Sequence, residues 1–100
     1  MFEFKVTENA DEVDVDLKGR LDATVAPQLH EAMTKLVGKD IKKITFNVKE
    51  LEYIASAGVR VIIFSKQKLG TDTQIFMKDV NEEVMQVVEM IGCTNFVTII

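Results

Sequence analysis

A single hydroxyl group among small residues is the part of this chain best suited to chemistry. Ser56 lies between Ala55 and Ala57, with Gly58 next, where a predicted strand gives way to an apolar segment. If a helix begins there, its first backbone N–H groups lack partners and carry partial positive charge, which favours a hydroxyl or a phosphate. The pattern predicts a modifiable serine, and the alternative is a serine that only caps a helix.

Covalent catalysis by this serine is the first alternative function. The segment Ile54–Gly58 is close to the nucleophile elbow G-x-S-x-G, but Ile54 replaces the first glycine. His30 is the only histidine and lies upstream, on the polar side of a predicted helix, so the order Ser, acid, His is absent. A small hydrolase or transferase using Ser56 with Asp22 would lack a base, and we expect no catalytic residues.

Metal and cofactor chemistry are poorly supported. One histidine and one cysteine cannot build a metal site, and the acids at 11, 12, 14 and 16 are typical of the solvated face of a strand. Neither G-x-x-x-x-G-K nor G-x-G-x-x-G occurs, so we expect no metal and no cofactor. Cys93, the sole cysteine, follows Gly92 in an apolar region and is interpreted as a core thiol.

The elements that would position Ser56 are indicated by hydrophobic periodicity. Alternation over Phe2–Val6 and Val13–Lys18 predicts an antiparallel hairpin. Helical spacing predicts a helix over Val25–Val37, ended by Gly38, and Ile44–Val48 is predicted to be a strand that leads to the Ser56 turn. Asp22 falls just before this helix, so its loop and the Ser56 turn could meet at one end of a sheet as a binding rim, although Asp22 also suits a simple turn or cap.

The second half of the chain contains one ambiguous segment. Val59–Phe64 is rich in β-branched residues but also fits one helical face, so strand and helix stay open by pattern alone. A turn over Gly70–Thr73 and a strand over Gln74–Met77 follow. A helical stripe over Val80–Ile91 comes next, with Asn81 as its cap and Gly92 as its stop, and Phe96–Ile100 is predicted to be the closing strand.

Chain length and composition predict one domain over residues 1–100. The chain is 47% hydrophobic and 28% charged, with a net charge of −4, as in an ordinary globular domain. Scattered lysines and arginines among sixteen acids argue against a nucleic acid partner. The start of the chain does not resemble a signal peptide and no apolar run is long enough to span a membrane, so we expect a cytoplasmic protein without a membrane partner.

Three landmarks together resemble the STAS domain of the anti-sigma factor antagonist family over essentially the whole chain. They are Gly19-Arg20-Leu21-Asp22 after the second strand, Thr45–Val48 with Leu51, Tyr53 and Ile54, and the turn and helix of Ser56–Val61. The resemblance implies an α/β (α+β layered) fold, with a mixed β-sheet that opens with an antiparallel hairpin and helices packed mainly on one face. It also implies that Val59–Leu69 is helical, with packing overriding propensity.

The resemblance implies a function as well. Such domains bind an anti-sigma factor that is itself a serine kinase, which frees a sigma factor until the kinase phosphorylates the serine matching Ser56. A phosphatase could reverse this step, and the domain itself would be a non-enzymatic monomer or weak homodimer. The expected partner-binding patch combines two loops, and its residues are Asp22, Ala23, Thr24, Tyr53, Ile54, Ala55, Ala57, Gly58 and Arg60.

One departure from the family pattern keeps a second function open. Some members carry Asp or Ser before the phosphorylated residue and a second Ser after it, whereas here both neighbours, Ala55 and Ala57, are alanines. A lone serine would also suit a STAS scaffold that binds a subunit constitutively in a transport or stress-sensing complex.

Overall fold

The computed structural model describes residues 2–69 and 72–100, which form a five-stranded sheet, three α-helices and a short 3₁₀ turn. The strands are β1 (Phe2–Asn9), β2 (Glu12–Leu21), β3 (Lys43–Ile54), β4 (Gln74–Lys78) and β5 (Thr98–Ile99). The helices are α1 (Ala26–Thr34), α2 (Ser56–Leu69) and α3 (Glu82–Ile91), and the 3₁₀ turn spans Cys93–Asn95. None of the helices in these residues is long and apolar enough to cross a membrane.

The strands lie in the order β1-β2-β3-β4-β5. β1 and β2 are antiparallel, whereas each later neighbouring pair is parallel. This confirms the predicted mixed sheet that opens with a hairpin. Parallel strands need crossover connections, and α1, α2 and α3 supply the three of this chain.

Alternation along the strands separates a helix-covered face from an open face. In β2 the side chains of Val13, Val15 and Leu17 are buried, while the acidic residues between them are exposed. The register places Val13 opposite Ile44 and Val15 opposite Phe46, which are both fully buried. All three helices cover this apolar face, and the opposite face is mainly polar, with Phe76 of β4 beside Lys43.

The ambiguous segment is helical, as the resemblance implied. α2 begins at Ser56 and buries Val59, Val61, Ile62 and Ser65 in the core. Burial of the β-branched side chains under the helix layer outweighs their modest helix propensity, which differs from that of alanine by less than about 1 kcal/mol per residue.

α3 has both predicted ends. The Asn81 side chain accepts a hydrogen bond from the Val84 N–H at 2.8 Å, and its amide donates to the Leu51 carbonyl of β3 at 2.8 Å. Gly92 closes the helix in the left-handed conformation, with φ at +82°. Asn81 therefore caps α3 and also ties it to the central strand.

Several boundaries differ from the predictions. α1 ends at Thr34 rather than Val37, although Leu36 remains buried in the turn that follows. The predicted closing strand is only Thr98–Ile99, because the N–H groups of Phe96 and Val97 both donate to the Cys93 carbonyl in the 3₁₀ turn. Of the predicted turn over Gly70–Thr73, the first two residues lie outside the described residues.

Candidate functional site

The ends of β2 and β3 bring the two predicted loops together. Arg20 is opposite Tyr53 and Leu21 is opposite Ile54, so the two parallel strands finish side by side. The Ala55 N–H then donates to the Leu21 carbonyl at 2.9 Å, which holds the chain beside β2 as it leaves β3. The loop after β2 and the turn into α2 consequently lie at the same edge of the sheet.

Ser56 is the first residue of α2 and is exposed to solvent. The residue before it, Ala55, accepts hydrogen bonds through its carbonyl from the N–H groups of Gly58 and Val59, at 2.9 and 3.1 Å. Within residues 2–69 and 72–100, the Ser56 hydroxyl makes no hydrogen bond. Ser56 is thus not the helix cap of the alternative interpretation, and its side chain is open to solvent.

Asp22 makes hydrogen bonds within its own loop. Its carboxylate accepts hydrogen bonds from the N–H groups of Thr24 at 2.9 Å and Val25 at 3.3 Å. Its backbone carbonyl accepts from Val25 at 3.3 Å and Ala26 at 2.9 Å, which closes the turn into α1. Asp22 is therefore a turn residue here, and it fixes the neighbours that it presents, Ala23 and Thr24.

Packing explains why a glycine stands two positions after the serine. A Cβ atom at this position would lie 2.7 Å from Cγ and 2.9 Å from Cδ2 of Leu21, and 3.0 Å from Cγ1 of Ile54. The start of α2 can approach the ends of β2 and β3 this closely only without a side chain. The close approach holds the start of α2, which begins at Ser56, against the ends of the two strands.

The predicted contact patch divides into an exposed part and a supporting part. Ala23, Thr24, Ser56 and Arg60 are exposed, Tyr53 is 37% exposed, and Asp22, Ala55 and Ala57 are half-buried. Ile54, at 1% exposure, and Gly58 lie inside the protein. These two residues therefore sit beneath the patch rather than in it, because Ile54 faces the helix-covered side of the sheet and Gly58 lies on the side of α2 that packs against the strand ends.

A groove between α1 and α2 extends the patch beyond the residues expected from sequence. It has a volume of about 460 Å³, and it is lined by Ala23, Ala26, Pro27, His30, Ala57, Arg60, Val61 and Phe64. His30 is exposed, as its predicted place on the polar side of the helix implies, and its ring lies against the Phe64 ring with 4.2 Å between centroids. The available signal was the spacing of Ala57, Val61 and Phe64 along one side of α2.

Two arginines lie on the elements that meet at the junction. The Arg20 guanidinium lies 4.4 Å from the centroid of the Tyr53 ring, which it covers. Arg60 comes four residues after Ser56, one helical turn further along the same side of α2. An added anion on Ser56 would therefore meet a helix N-terminus and a nearby cation.

The described residues offer little else for catalysis. No side chain among them accepts a hydrogen bond from Ser56, so the serine has no base in place. Burial raises the pKa of the Cys93 thiol to about 11, so this thiol stays protonated near neutral pH. Across residues 2–69 and 72–100, no three His, Cys, Asp or Glu side chains gather as a metal site would require.

The fold has close counterparts among solved structures. An anti-sigma factor antagonist from Mycobacterium paratuberculosis superposes with a TM-score of 0.87 at 17% identity, covering 99% of this chain and 85% of that chain. Phosphorylated SpoIIAA from Bacillus gives 0.77 at 16% identity, covering 98% and 91%. A STAS domain protein from Planctomyces limnophilus gives 0.84 at 13% identity, covering 97% and 87%.

Sequence comparison gives the family directly. No curated protein matches the chain at a significant level. The family description "STAS domain", however, matches residues 2–100, which is nearly the whole sequence. This match agrees with the mixed sheet, the one-sided helix layer and the junction of the two loops. The chain belongs to the STAS domain family.

Proposed function

We propose that this STAS domain is an anti-sigma factor antagonist, that its partner is an anti-sigma factor with serine kinase activity, and that phosphorylation of Ser56 releases the partner. The observation that carries the proposal is the exposed Ser56 hydroxyl, which makes no hydrogen bond with any described residue. The similarity to solved structures supports the proposal, since one of them is SpoIIAA in a phosphorylated form. The domain itself acts by binding and not by catalysis.

The position of Ser56 suits a switch because one modification changes a contact surface without entering the core. A phosphate adds a charge of about −1.5 to −2 and three acceptor oxygens at the centre of the exposed patch. Like charges forced together in an interface cost several kcal/mol, and about 1.4 kcal/mol already weakens binding tenfold. A partner that presents acidic groups to this patch would therefore dissociate.

The same position allows the phosphorylated domain to stay folded. The first N–H groups of α2 and the helix dipole favour an anion at Ser56, and Arg60 lies one turn away. Asp22, the nearest acid of the neighbouring loop, has its carboxylate held by two backbone N–H groups. We therefore expect phosphorylation to change binding much more than stability.

The experiment uses the two serines of the chain as a matched pair. Ser65 is 2% exposed and its hydroxyl donates to the Val61 carbonyl, so it is out of reach of a kinase. The tagged full chain is incubated with extract of its own cells and ATP, and intact mass and peptide mapping locate any phosphate. Wild type, Ser65→Ala and Thr24→Ala should gain one phosphate, whereas Ser56→Ala should gain none.

The same extract tests release of the partner. Wild type should retain a protein that phosphorylates Ser56 once ATP is added, and Ser56→Asp should bind it at least about tenfold more weakly. Ser56→Asn, which has nearly the shape of the Asp variant without its charge, should bind close to wild type. Equal binding by Ser56→Asp would refute the switch. A retained partner without any phosphorylation would instead support the constitutive scaffold.

The cytoplasmic location and the reversing phosphatase remain predictions from the sequence. Both are checked in the same cells, the first by fractionation and the second by loss of the Ser56 phosphate after ATP is removed.

A further inference from the structure

The outer edge of β1 carries unpaired backbone groups. Within residues 2–69 and 72–100, only β2 pairs with β1. Asn9 is opposite Glu12 across a two-residue turn, and such a closing pair exchanges both of its hydrogen bonds. Odd-numbered residues of β1 therefore direct N–H and C=O toward β2. The N–H and C=O groups of Phe2, Phe4 and Val6 point outward, free to pair with another strand.

The apolar and charged side chains of the same segment lie on opposite faces of the sheet. Phe2, Phe4 and Val6 lie on the helix-covered side of the sheet but stay only half-buried, and the two phenylalanine rings stack with 5.8 Å between centroids. Glu3 and Lys5 are exposed on the open face. A strand added at this edge would thus cover apolar side chains on one face and meet an alternation of charges on the other.

This edge is complementary to itself in one register. An antiparallel second copy, related by a two-fold axis perpendicular to the sheet, can place Phe4 opposite Phe4 and Phe2 opposite Val6. Glu3 then lies opposite Lys5 in both copies, which gives two opposite-charge pairs across the axis. A shift of two residues places Lys5 opposite Lys5 in one direction and Glu3 opposite Glu3 in the other. The charges thus select this register over its two neighbours.

The other edge of the sheet is not comparable. β5 contains only Thr98 and Ile99, and its short ladder to β4 is extended by the Ile100 N–H, which donates to the Met77 carbonyl. β1 contains eight residues. Charged residues on an edge strand commonly prevent pairing, but in β1 they are placed so that one antiparallel register satisfies them.

We infer that a second copy of this chain pairs with β1 through residues 2–6, forming a homodimer with one continuous sheet. The Ser56 turn follows β3 and is separated from the dimer edge by β2, so dimerisation leaves the switch surface open. The two-fold axis places the two Ser56 turns at opposite ends of the extended sheet. This inference does not depend on the proposed function.

A charge-exchange experiment tests the register. Sedimentation equilibrium of the full chain should show a concentration-dependent dimer for wild type. Lys5→Glu places acids opposite each other and Glu3→Lys places bases opposite each other, so each should raise the dimer Kd about tenfold or more. The double variant Glu3→Lys/Lys5→Glu should recover the dimer. An equimolar mixture of the two single variants should form the heterodimer, because both cross-strand pairs are then opposite in charge.

Controls separate pairing from folding. Lys5 and Glu3 also face Asp16 and Lys18 of β2, so circular dichroism must show that each single variant is folded. Lys49→Glu makes the same change of charge at an exposed residue of β3 and should leave the dimer Kd unchanged. Amide exchange should show the N–H groups of Phe4 and Val6 becoming protected as concentration rises.

Three results would overturn the inference. They are a wild-type chain that stays monomeric up to about millimolar concentration, a dimer that Lys5→Glu does not weaken, and a mixture of single variants that does not associate. Each result is a measurement of self-association that does not involve Ser56 phosphorylation, so failure of the dimer and failure of the switch are distinguishable.

Discussion

The two turns that meet at the end of the sheet are stabilised in different ways. The turn after β2 is held by a polar side chain, since the Asp22 carboxylate accepts hydrogen bonds from the N–H groups of Thr24 and Val25. The turn after β3 is held by the Ala55 N–H and by the absence of a side chain at Gly58, which packs against Leu21. Its polar residue, Ser56, makes no hydrogen bond within the described residues.

This difference distinguishes a structural polar group from an available one. Both positions carry a residue type that commonly caps helices or closes turns, so residue type alone does not separate them. The carboxylate is occupied by backbone donors, whereas the hydroxyl is exposed and makes no hydrogen bond within the described residues. Four substitutions test this contrast, and they are ordered here from the largest expected effect to the smallest.

Gly58→Ala should have the largest effect. The new Cβ would come within 3 Å of Leu21, at the end of β2, so the side chain or the helix start must move. Overpacking of this kind typically costs about 1–3 kcal/mol of unfolding free energy, measured by urea denaturation. The double variant Leu21→Ala/Gly58→Ala should cost less than the sum of its single changes, because the clash is gone. Wild-type stability of Gly58→Ala would contradict the packing account.

Asp22→Ala should lower the unfolding free energy by about 1 kcal/mol, the usual effect of losing a side chain that accepts backbone N–H groups at a helix entrance. Asp22→Asn keeps an acceptor oxygen of the same reach and should recover most of the loss in the same urea titration. If the Asn variant were as unstable as the Ala variant, the charge of Asp22 rather than its hydrogen bonds would stabilise the turn.

The meeting of these turns could be expected from sequence, but their contrast could not. Alternation in β2 and helical spacing in α1 indicate a parallel crossover, and parallel strands bring their carboxyl ends to one edge. Whether an oxygen reaches a backbone N–H at 2.9 Å or stays free depends on loop geometry that periodicity does not encode. The burial of Ile54 and Gly58 beneath the patch was missed for the same reason.

Sequence patterns were least informative where tertiary packing or a local turn decides the structure. The spacing of Ala57, Val61 and Phe64 indicates an apolar side of α2 beside Ser56, but not that Ala57 and Phe64 stay half-buried and line an open groove. In α2 the β-branched residues favoured a strand and the spacing of the apolar residues favoured a helix, and only packing against the sheet decides between them. Phe96 lies outside the observed strand β5 because its N–H donates to the Cys93 carbonyl in the 3₁₀ turn.

Arg20→Ala should have a smaller effect than Gly58→Ala or Asp22→Ala. The Arg20 guanidinium covers the Tyr53 ring at the base of both turns, and an exposed contact of this type contributes about 0.5–1 kcal/mol. Tyr53 is the only tyrosine and the chain has no tryptophan, so its fluorescence reports this contact directly. The variant should alter Tyr53 emission and slightly lower stability, while Arg20→Lys should lie between it and wild type. Unchanged emission would place Arg20 away from the ring.

Ser56→Ala should have the smallest effect on stability, within about 0.5 kcal/mol of wild type, because an exposed side chain without a hydrogen bond contributes little to folding. Asp22→Ala, measured in the same urea titration, is the matched comparison, because it also shortens a polar side chain to alanine, at the neighbouring turn. A loss equal to that of Asp22→Ala would mean that the hydroxyl helps to hold the helix start, so that phosphorylation would disturb the fold as well as the surface. A negligible loss, together with loss of phosphorylation, would assign Ser56 to regulation alone.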